Sequence, residues 1–95
     1  MTKAIERYGT YADMKWNEAF ARRVMGKPDY IRPFRHCNAR LFYSEQHILL
    51  VSYATPVAIA SCDGRLIMLN PERFSNTTTR QIRRFLQDFC RINNP

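Results

Sequence analysis

The sequence predicts an α+β domain in which an N-terminal helix, an antiparallel meander of three or four strands and a C-terminal helix follow one another. Apolar residues recur at helical spacing near both ends of the chain, whereas the middle is dense in β-branched and aromatic residues, which is typical of strands. A chain of 95 residues has room for one hydrophobic core. We therefore predict a single domain over residues 1–95, with residues 1–9 as a flexible lead and both helices packed on one face of the sheet.

The first helix is predicted to begin at Thr10. A threonine side chain accepts a hydrogen bond from a free backbone amide at a helix start, and Asp13 follows three residues later. Gly26 and Pro28 are expected to end the helix. Large apolar side chains recur every four residues along one face: Trp16, Phe20 and Val24.

Strands are predicted near residues 40–43, 47–53, 56–61 and 65–69. Asp63 and Gly64 lie between the last two and predict a two-residue hairpin turn, in which both central residues have positive φ. Residues 44–46 predict another short turn. Residues 54–56, which include a proline, predict a bend or bulge. The pattern indicates an antiparallel meander.

The C-terminal helix follows Pro71, which is expected to end the last strand. Asn76 or one of the threonines after it is predicted to cap the helix. Its apolar side chains have the i, i+3, i+4, i+7 spacing that covers a sheet: Ile82, Phe85, Leu86 and Phe89. The predicted core of the domain contains Trp16, Phe20, Leu50, Ile59, Leu66, Met68, Phe85 and Phe89.

Arginine dominates the charge of the chain. The 15 cationic residues outnumber the 8 acidic ones, so the net charge is +7, and most of the arginines lie in residues 22–40 and 80–91. Guanidinium groups suit phosphate and carboxylate recognition, and the net charge favours nucleic acid, an anionic membrane surface or an acidic protein as the partner. The apolar fraction of 45% excludes a wholly disordered basic tail. The alternative interpretation is that the charge only keeps the protein soluble.

We predict a binding surface made of two arginine clusters. The first cluster lies within and shortly before residues 29–38. We expect these residues to form an extended surface loop, because two nearby prolines disfavour a helix there. Arginine alternating with aromatic residues is typical of single-stranded nucleic-acid sites. The alternative is that Tyr30, Ile31 and Phe34 hold this loop on the core. The predicted binding residues are Arg22, Arg23, Arg32, Arg35 and Tyr30 in the first cluster, and Arg80, Arg83 and Arg84 in the second.

The cysteine and histidine residues do not predict a metal site. Cys37, Cys62 and Cys90 are odd in number and far apart, so we predict reduced thiols, with Cys62 and Cys90 in the core. Because no two Cys or His residues have C-x-x-C or H-x-x-x-H spacing, no metal and no cofactor are expected. The sequence has no apolar run of about 20 residues, as a membrane span needs, and no signal-peptide pattern, which favours the cytoplasm.

Three sequence segments carry a resemblance to a known group. They are residues 51–59 (Val-Ser-Tyr-Ala-Thr-Pro-Val-Ala-Ile), the Asp63-Gly64 pair, and residues 74–78 (Phe-Ser-Asn-Thr-Thr). Over about residues 16–86, including an asparagine at Asn38, the chain resembles an uncharacterised group of small tailed-phage proteins with Ser-Tyr-Gly, Pro-Ile-Ala and Tyr-Ser-x-Thr-Thr motifs. Ala54 stands where glycine is usual, and Gln81 lies near a common histidine. The resemblance implies a phage or mobile-element origin and transfers no functional residue.

Three functions follow as hypotheses. The preferred one is a non-enzymatic inhibitor that binds host nucleic-acid machinery, as anti-CRISPR and other anti-defence proteins do, with a host protein or ribonucleoprotein of anionic surface as partner. The second is a direct DNA- or RNA-binding protein. The third is a small ribonuclease toxin, since cations, tyrosine and histidine serve in such cleavage. Its candidate residues would be Arg35, His36, Tyr43 and His47.

Overall fold

The computed structural model describes residues 12–90, apart from the side chains of His36 and Cys37. These residues form two helices and one antiparallel sheet of five strands in sequential order. The elements are α1 (Glu18–Gly26), β1 (Tyr30–Phe34), β2 (His36–Tyr43), β3 (His47–Ser52), β4 (Thr55–Ser61), β5 (Leu66–Leu69) and α2 (Asn76–Phe89). The α+β prediction is confirmed, with one strand more than its upper limit. Neither helix of this region is long and apolar enough to cross a membrane.

Helix α1 begins later than the sequence predicts. Its cap is Asn17, whose side chain accepts a hydrogen bond from the backbone N–H of Phe20 at 3.0 Å. Thr10, the predicted cap, lies outside the described residues, as do residues 1–9. The backbone N–H of Asp13 instead donates to Leu66 at 3.0 Å, and the next N–H along donates to β5 as well. The segment before α1 therefore covers part of the free edge of β5, which would otherwise expose unpaired backbone groups.

The prediction of a loop over residues 29–38 is wrong, because these residues form β1 and the beginning of β2. The chain reverses at Arg35, which has a φ of 59°. Pro33 is accommodated because β1 is an edge strand, where a missing backbone N–H leaves no central ladder bond unmade.

β3, β4 and β5 agree with the predicted positions to within one residue, whereas β2 begins four residues earlier than predicted, and two turns differ. Between β4 and β5 only Gly64 has positive φ, at 95°. Its N–H donates to the carbonyl of Ser61 at 3.1 Å, and the N–H of Ser61 donates to Arg65 at 2.8 Å. Three residues, 62–64, therefore lie between the hydrogen-bonded Ser61 and Arg65, and Gly64 supplies the single positive φ that this longer turn needs. A two-residue turn at Tyr53 and Ala54 joins β3 to β4 where a bend or bulge was expected. The register also shifts next to this turn, where Leu50 pairs with Ala58 and Val51 pairs with Pro56.

The two helices lie on opposite faces of the sheet, so the prediction that both cover one face is wrong. The face against α2 contains Leu41, Ile48, Leu50, Ala58 and Ala60, packed with Ile82, Phe85 and Leu86 of the helix. The face against α1 contains Phe42, Leu49, Val51, Ile59 and Met68, packed with Ala21 and the half-buried Phe20 and Val24. The reason lies in β3 and β4, which are apolar without alternation and buried on both sides.

The predicted core is largely confirmed. Leu50, Ile59, Leu66, Met68 and Phe85 are buried, whereas Trp16, Phe20 and Phe89 are half-buried and pack against the core. Among the cysteines with described side chains, Cys90 is buried as predicted, but Cys62 is exposed because it lies in the β4–β5 loop. Both are free thiols. Burial raises the pKa of Cys90 to about 12.

Candidate functional site

A groove of about 450 Å³ lies between the β1–β2 turn and the N-terminal half of α2, and we call it the α2 groove. Its lining residues are Phe34, Arg35, Asn38, Thr77, Arg80, Gln81 and Arg84. Three arginines therefore converge on one concave surface. Two of them come from α2 and the third comes from a turn that is more than forty residues away in sequence, so that only the folded chain brings them together.

Helix α2 presents its lining residues on one stripe because positions three and four apart share a face. Arg80 and Arg84 are one turn apart on this stripe, next to the buried stripe that packs on the sheet. The helix is capped by Ser75, whose side chain accepts from the backbone N–H of Thr78 at 3.2 Å. The predicted cap, Asn76 or a threonine, is thus wrong by at least one residue. The N-terminal end of α2 lies at the groove, and the positive end of the helix dipole there favours an anion.

Arg35 is positioned by the turn and by its neighbour Phe34. The Phe34 ring is buried and meets the Phe85 ring edge-on, with the ring centres 6.3 Å apart. The guanidinium carbon of Arg35 lies 6.0 Å from the centre of the Phe34 ring. A positive φ at a non-glycine residue costs roughly 1–2 kcal/mol, and the buried ring next to it holds the turn in place. The backbone of Arg35 is consequently held in place, and its side chain extends toward α2.

The charge of the α2 groove is only partly neutralised. One carboxylate, that of Asp88, lies 3.3 Å from Arg35 and 3.3 Å from Arg84. Within the described part of the chain, Arg80 forms no ion pair. Two guanidinium groups thus share one carboxylate and the third has none among the described residues, which leaves an excess of positive charge around the cavity. Because these pairs are partly exposed, each contributes little to stability and exchanges readily with another anion.

A buried polar network lies beneath the groove. Ser52 Oγ donates to Oε1 of Gln81 at 2.7 Å and lies 2.9 Å from the hydroxyl of Thr78. All three side chains are buried, and Gln81 is only 3% exposed. Its Nε2 has no hydrogen-bond partner among the residues that the structure describes. A buried donor without a partner costs about 1–3 kcal/mol, so this amide is a candidate ligand-binding group.

Tyr53 lies beside the groove through its contact with Asn38. The backbone N–H of Tyr53 donates to the carbonyl of Asn38 at 2.6 Å, and Nδ2 of Asn38 donates to the hydroxyl of Tyr53 at 3.2 Å. Tyr53 has a φ of 59° and is 62% exposed. The structure therefore places a large exposed ring next to Asn38, one of the residues that line the groove. Sequence reasoning missed Tyr53, Gln81 and Asn38 as site residues, although a tyrosine in a tight turn between two apolar strands is a usable signal for an exposed ring.

The first predicted arginine cluster is divided between the two sides of the molecule. Arg22 and Arg23 belong to α1, on the opposite face of the sheet from α2. Arg22 forms an ion pair with Glu18 at 2.7 Å, and Arg23 lies 5.8 Å from the centre of the Phe20 ring. The Trp16 indole and Arg22 together lower the pKa of the Glu18 carboxyl. Of this cluster, Arg35 alone lines the α2 groove. In the second cluster, Arg83 is exposed and does not line it.

Tyr30 and Arg32 form a separate surface near the other end of β1. The rings of Tyr30 and Tyr43 stack with centres 4.5 Å apart and planes 9° apart, and Arg32 lies 5.9 Å from the centre of the Tyr43 ring. Tyr30 and Ile31 are about half exposed, so within this segment Phe34 packs in the core and the two others do not. Tyr30 lies about 15 Å from Arg35, because the five residues of β1 separate the two along the strand.

The candidate ribonuclease residues do not meet. His36 begins β2 and Tyr43 ends it, and seven strand steps separate their backbones by about 23 Å. The ring of His47 packs edge-on against Phe20, with ring centres 5.4 Å apart, at the Tyr43 end of the sheet. Arg35 lies at the opposite end, beside α2. Among the side chains that the structure describes, which do not include those of His36 and Cys37, no three from His, Cys, Asp or Glu are grouped closely enough to hold a metal ion.

Residues 17–94 match the model of a protein family, DUF8033, that is described as a family of unknown function. The match covers α1, the whole sheet and α2, and thus every residue of the α2 groove. No curated protein and no solved structure matches the chain.

Proposed function

We propose that this chain, which belongs to the DUF8033 family, is a small non-enzymatic binding protein that acts on host nucleic-acid machinery by binding an anionic part of it. One observation carries the proposal. In the α2 groove, Arg35, Arg80 and Arg84 surround a single cavity with one carboxylate, Asp88, among the described residues. Guanidinium groups in this arrangement suit the oxygen atoms of phosphate or carboxylate groups.

A role of the arginines in solubility alone does not explain why three of them line one cavity. Solubility requires net charge and places no demand on where the cations lie, whereas cations gathered at one cavity repel one another. The groove also contains an exposed ring at its border and an unpartnered amide beneath it, and neither feature raises solubility. These features support a binding site for an external anion.

The biological setting is part of the same proposal. The resemblance to small tailed-phage proteins supports a phage or mobile-element origin, and a compact domain with an arginine-lined groove suits an anti-CRISPR or other anti-defence inhibitor. Such an inhibitor would act in the cytoplasm of the host cell. Its partner would be a host ribonucleoprotein or another component with an anionic surface.

Direct binding of DNA or RNA is the second candidate, because aromatic rings accompany both arginine surfaces. Tyr53 lies beside the α2 groove, and the stacked pair of Tyr30 and Tyr43 lies beside Arg32. Exposed rings next to phosphate-binding cations are typical of single-stranded nucleic-acid sites. The ribonuclease hypothesis has no comparable support, because its candidate residues lie at opposite ends of the sheet.

Affinity capture from host lysate, with and without nuclease treatment, tests the proposal. The double variant Arg80→Glu, Arg84→Glu should lose the captured partner. The matched control Lys15→Glu, Lys27→Glu makes the same change in charge at exposed positions near the two ends of α1 and should retain it. Capture that survives nuclease treatment would identify a protein contact, and capture that is lost would identify nucleic acid. If the folded α2 variant captures its partner as well as the control does, the proposal is wrong and the charge serves solubility.

A further inference from the structure

The unpartnered amide of Gln81 complements a ligand atom that accepts a hydrogen bond. Oε1 of Gln81 is already bonded to Ser52 at 2.7 Å, which fixes the orientation of the amide group. Nε2 is buried and without a partner within the described residues, and Gln81 lines the groove. A donor held in this way complements an oxygen atom and disfavours a cation. The buried network therefore points to an oxyanion in the α2 groove.

Arg80 supplies the charge for the same oxyanion. It is adjacent to Gln81 in sequence, lines the groove, and forms no ion pair with any described carboxylate. Arg84 lies one helical turn further along but shares Asp88 with Arg35. A single anionic group against Arg80 and Gln81 leaves Arg35 and Arg84 for flanking charges, which would compete with Asp88 for them. Three cations along one groove suit a chain of repeated anions better than an isolated ion.

Tyr53 indicates which chain of anions fits. Its backbone N–H donates to the carbonyl of Asn38 at 2.6 Å, and its ring hydroxyl accepts from Nδ2 of Asn38 at 3.2 Å, which holds the exposed ring beside the groove. A carboxylate-rich peptide does not require an aromatic face next to each charge, whereas a nucleotide places a planar base next to each phosphate. Stacking needs an unpaired base, since the faces of bases within a duplex are covered by their neighbours.

We infer that the α2 groove and Tyr53 form a one-nucleotide subsite for single-stranded nucleic acid. The phosphodiester lies against Arg80 and Nε2 of Gln81, and its base stacks on Tyr53. This inference rests on the proposed function and names the ligand of the same site. It specifies a strand of DNA or RNA, free or carried by a ribonucleoprotein, as the component that the protein contacts.

Fluorescence anisotropy with three probes tests the inference. The probes are a labelled ten-residue oligothymidylate, an abasic strand with the same number of phosphates, and a polyglutamate peptide of similar charge. The intact protein should bind oligothymidylate several-fold more tightly than the abasic strand, and polyglutamate most weakly. Tyr53→Asn removes the ring but tolerates positive φ, and it should weaken oligothymidylate binding roughly 5- to 150-fold without changing binding of the abasic strand. Tyr53→Phe keeps the ring and should restore most of the loss.

Gln81→Glu tests the amide donor. It keeps the oxygen that accepts from Ser52 and replaces Nε2 with an anionic oxygen, so it should weaken binding of both nucleic-acid probes about 10-fold or more. The matched control is Gln87→Glu, the same change at an exposed position of α2 that does not line the groove. Gln81→Met removes the donor without adding charge, and it should weaken both probes less than Gln81→Glu does. Thermal unfolding of each variant separates loss of binding from loss of folding.

The outcomes separate the inference from the proposed function. Equal affinity for oligothymidylate and the abasic strand, or no effect of Tyr53→Asn, would overturn base stacking. Folded Gln81→Glu and Gln81→Met that both bind like Gln87→Glu would overturn the phosphate contact. Preference for polyglutamate would identify an acidic protein as the ligand and reject a nucleotide. If host capture still depends on Arg80 and Arg84 in that case, the proposed function stands and only the nucleotide subsite is wrong.

Discussion

Arg35 forms an ion pair of 3.3 Å with Asp88, and this contact joins the β1–β2 turn to the last turns of α2 across 53 residues of sequence. The same carboxyl group contacts Arg84 through its other oxygen, also at 3.3 Å. Asp88 therefore holds two walls of the α2 groove together and partly neutralises them. An incoming oxyanion has to compete with this carboxylate for both arginines, so that Asp88 controls how positive the groove is.

Replacing Asp88 with asparagine should strengthen binding of an anionic ligand. The change releases Arg35 and Arg84 from their carboxylate, and we expect affinity for oligothymidylate to rise several-fold at low salt. Since the pairs are partly exposed, the free energy of unfolding should fall by less than about 1 kcal/mol. Glu18→Gln makes the same change in charge on α1, where Glu18 pairs with Arg22, and serves as the control. An equal gain in both variants would show that only the net charge matters.

Truncating Phe85 should destabilise the domain far more than truncating Phe89. The Phe85 side chain is fully buried and contacts the Phe34 ring beneath the groove, so Phe85→Ala should lower the free energy of unfolding by about 3–5 kcal/mol. Phe89 is half-buried at the edge of the same cluster, and its loss should cost about half as much. Urea denaturation measures both. Equal costs would mean that α2 is not seated on the sheet as described.

The residue that caps α2 is Ser75 in the structure, whereas the sequence predicted Asn76 or one of the threonines after it. Ser75 accepts a hydrogen bond from the backbone N–H of Thr78 at 3.2 Å, so Ser75→Ala should lower stability by about 1 kcal/mol. Asn76, the expected cap, is the first residue of the helix and is exposed, and Asn76→Ala should have little effect. Thermal unfolding of the two variants decides between the positions. A larger loss in Asn76→Ala would contradict the boundary of α2.

Cys90 should make stability depend on alkaline pH. Burial raises the pKa of its thiol from 9.0 to about 12. Between these values the unfolded chain releases a proton that the folded chain retains, so the free energy of unfolding should fall as pH rises from about 9 to 12. The variant Cys90→Ala should lack this component. Urea titrations of both proteins across this range measure it, and parallel curves would contradict the assignment.

Thiol labelling checks directly that Cys62 is exposed and Cys90 is buried. At pH 8, the exposed Cys62 should react with iodoacetamide in the folded protein, whereas Cys90 should react only after unfolding. Peptide mass spectrometry identifies the labelled residues. Rapid labelling of Cys90 in the folded protein would show that the end of α2 opens frequently.

Local signals in the sequence were sufficient for most of the elements. The spacing of Ile82, Phe85 and Leu86 specified α2, and dense β-branched residues specified β3 and β4, because helical and strand periodicities are properties of neighbouring residues. The same local signals failed for β1. Its proline disfavours a central strand, but only the sheet order shows that β1 lies at the edge, where proline is tolerated.

The sequence by itself determined that this protein is a small α+β domain with a marked excess of arginine. Only the tertiary structure decided which arginines meet. It separated Arg22 from Arg35 by placing the helices on opposite faces of the sheet, and it brought Arg35 to Arg80 beside the buried Gln81. Charge and helix content depend on residue types and near neighbours, whereas a site depends on strand pairing and layer packing, which join residues that are distant in sequence.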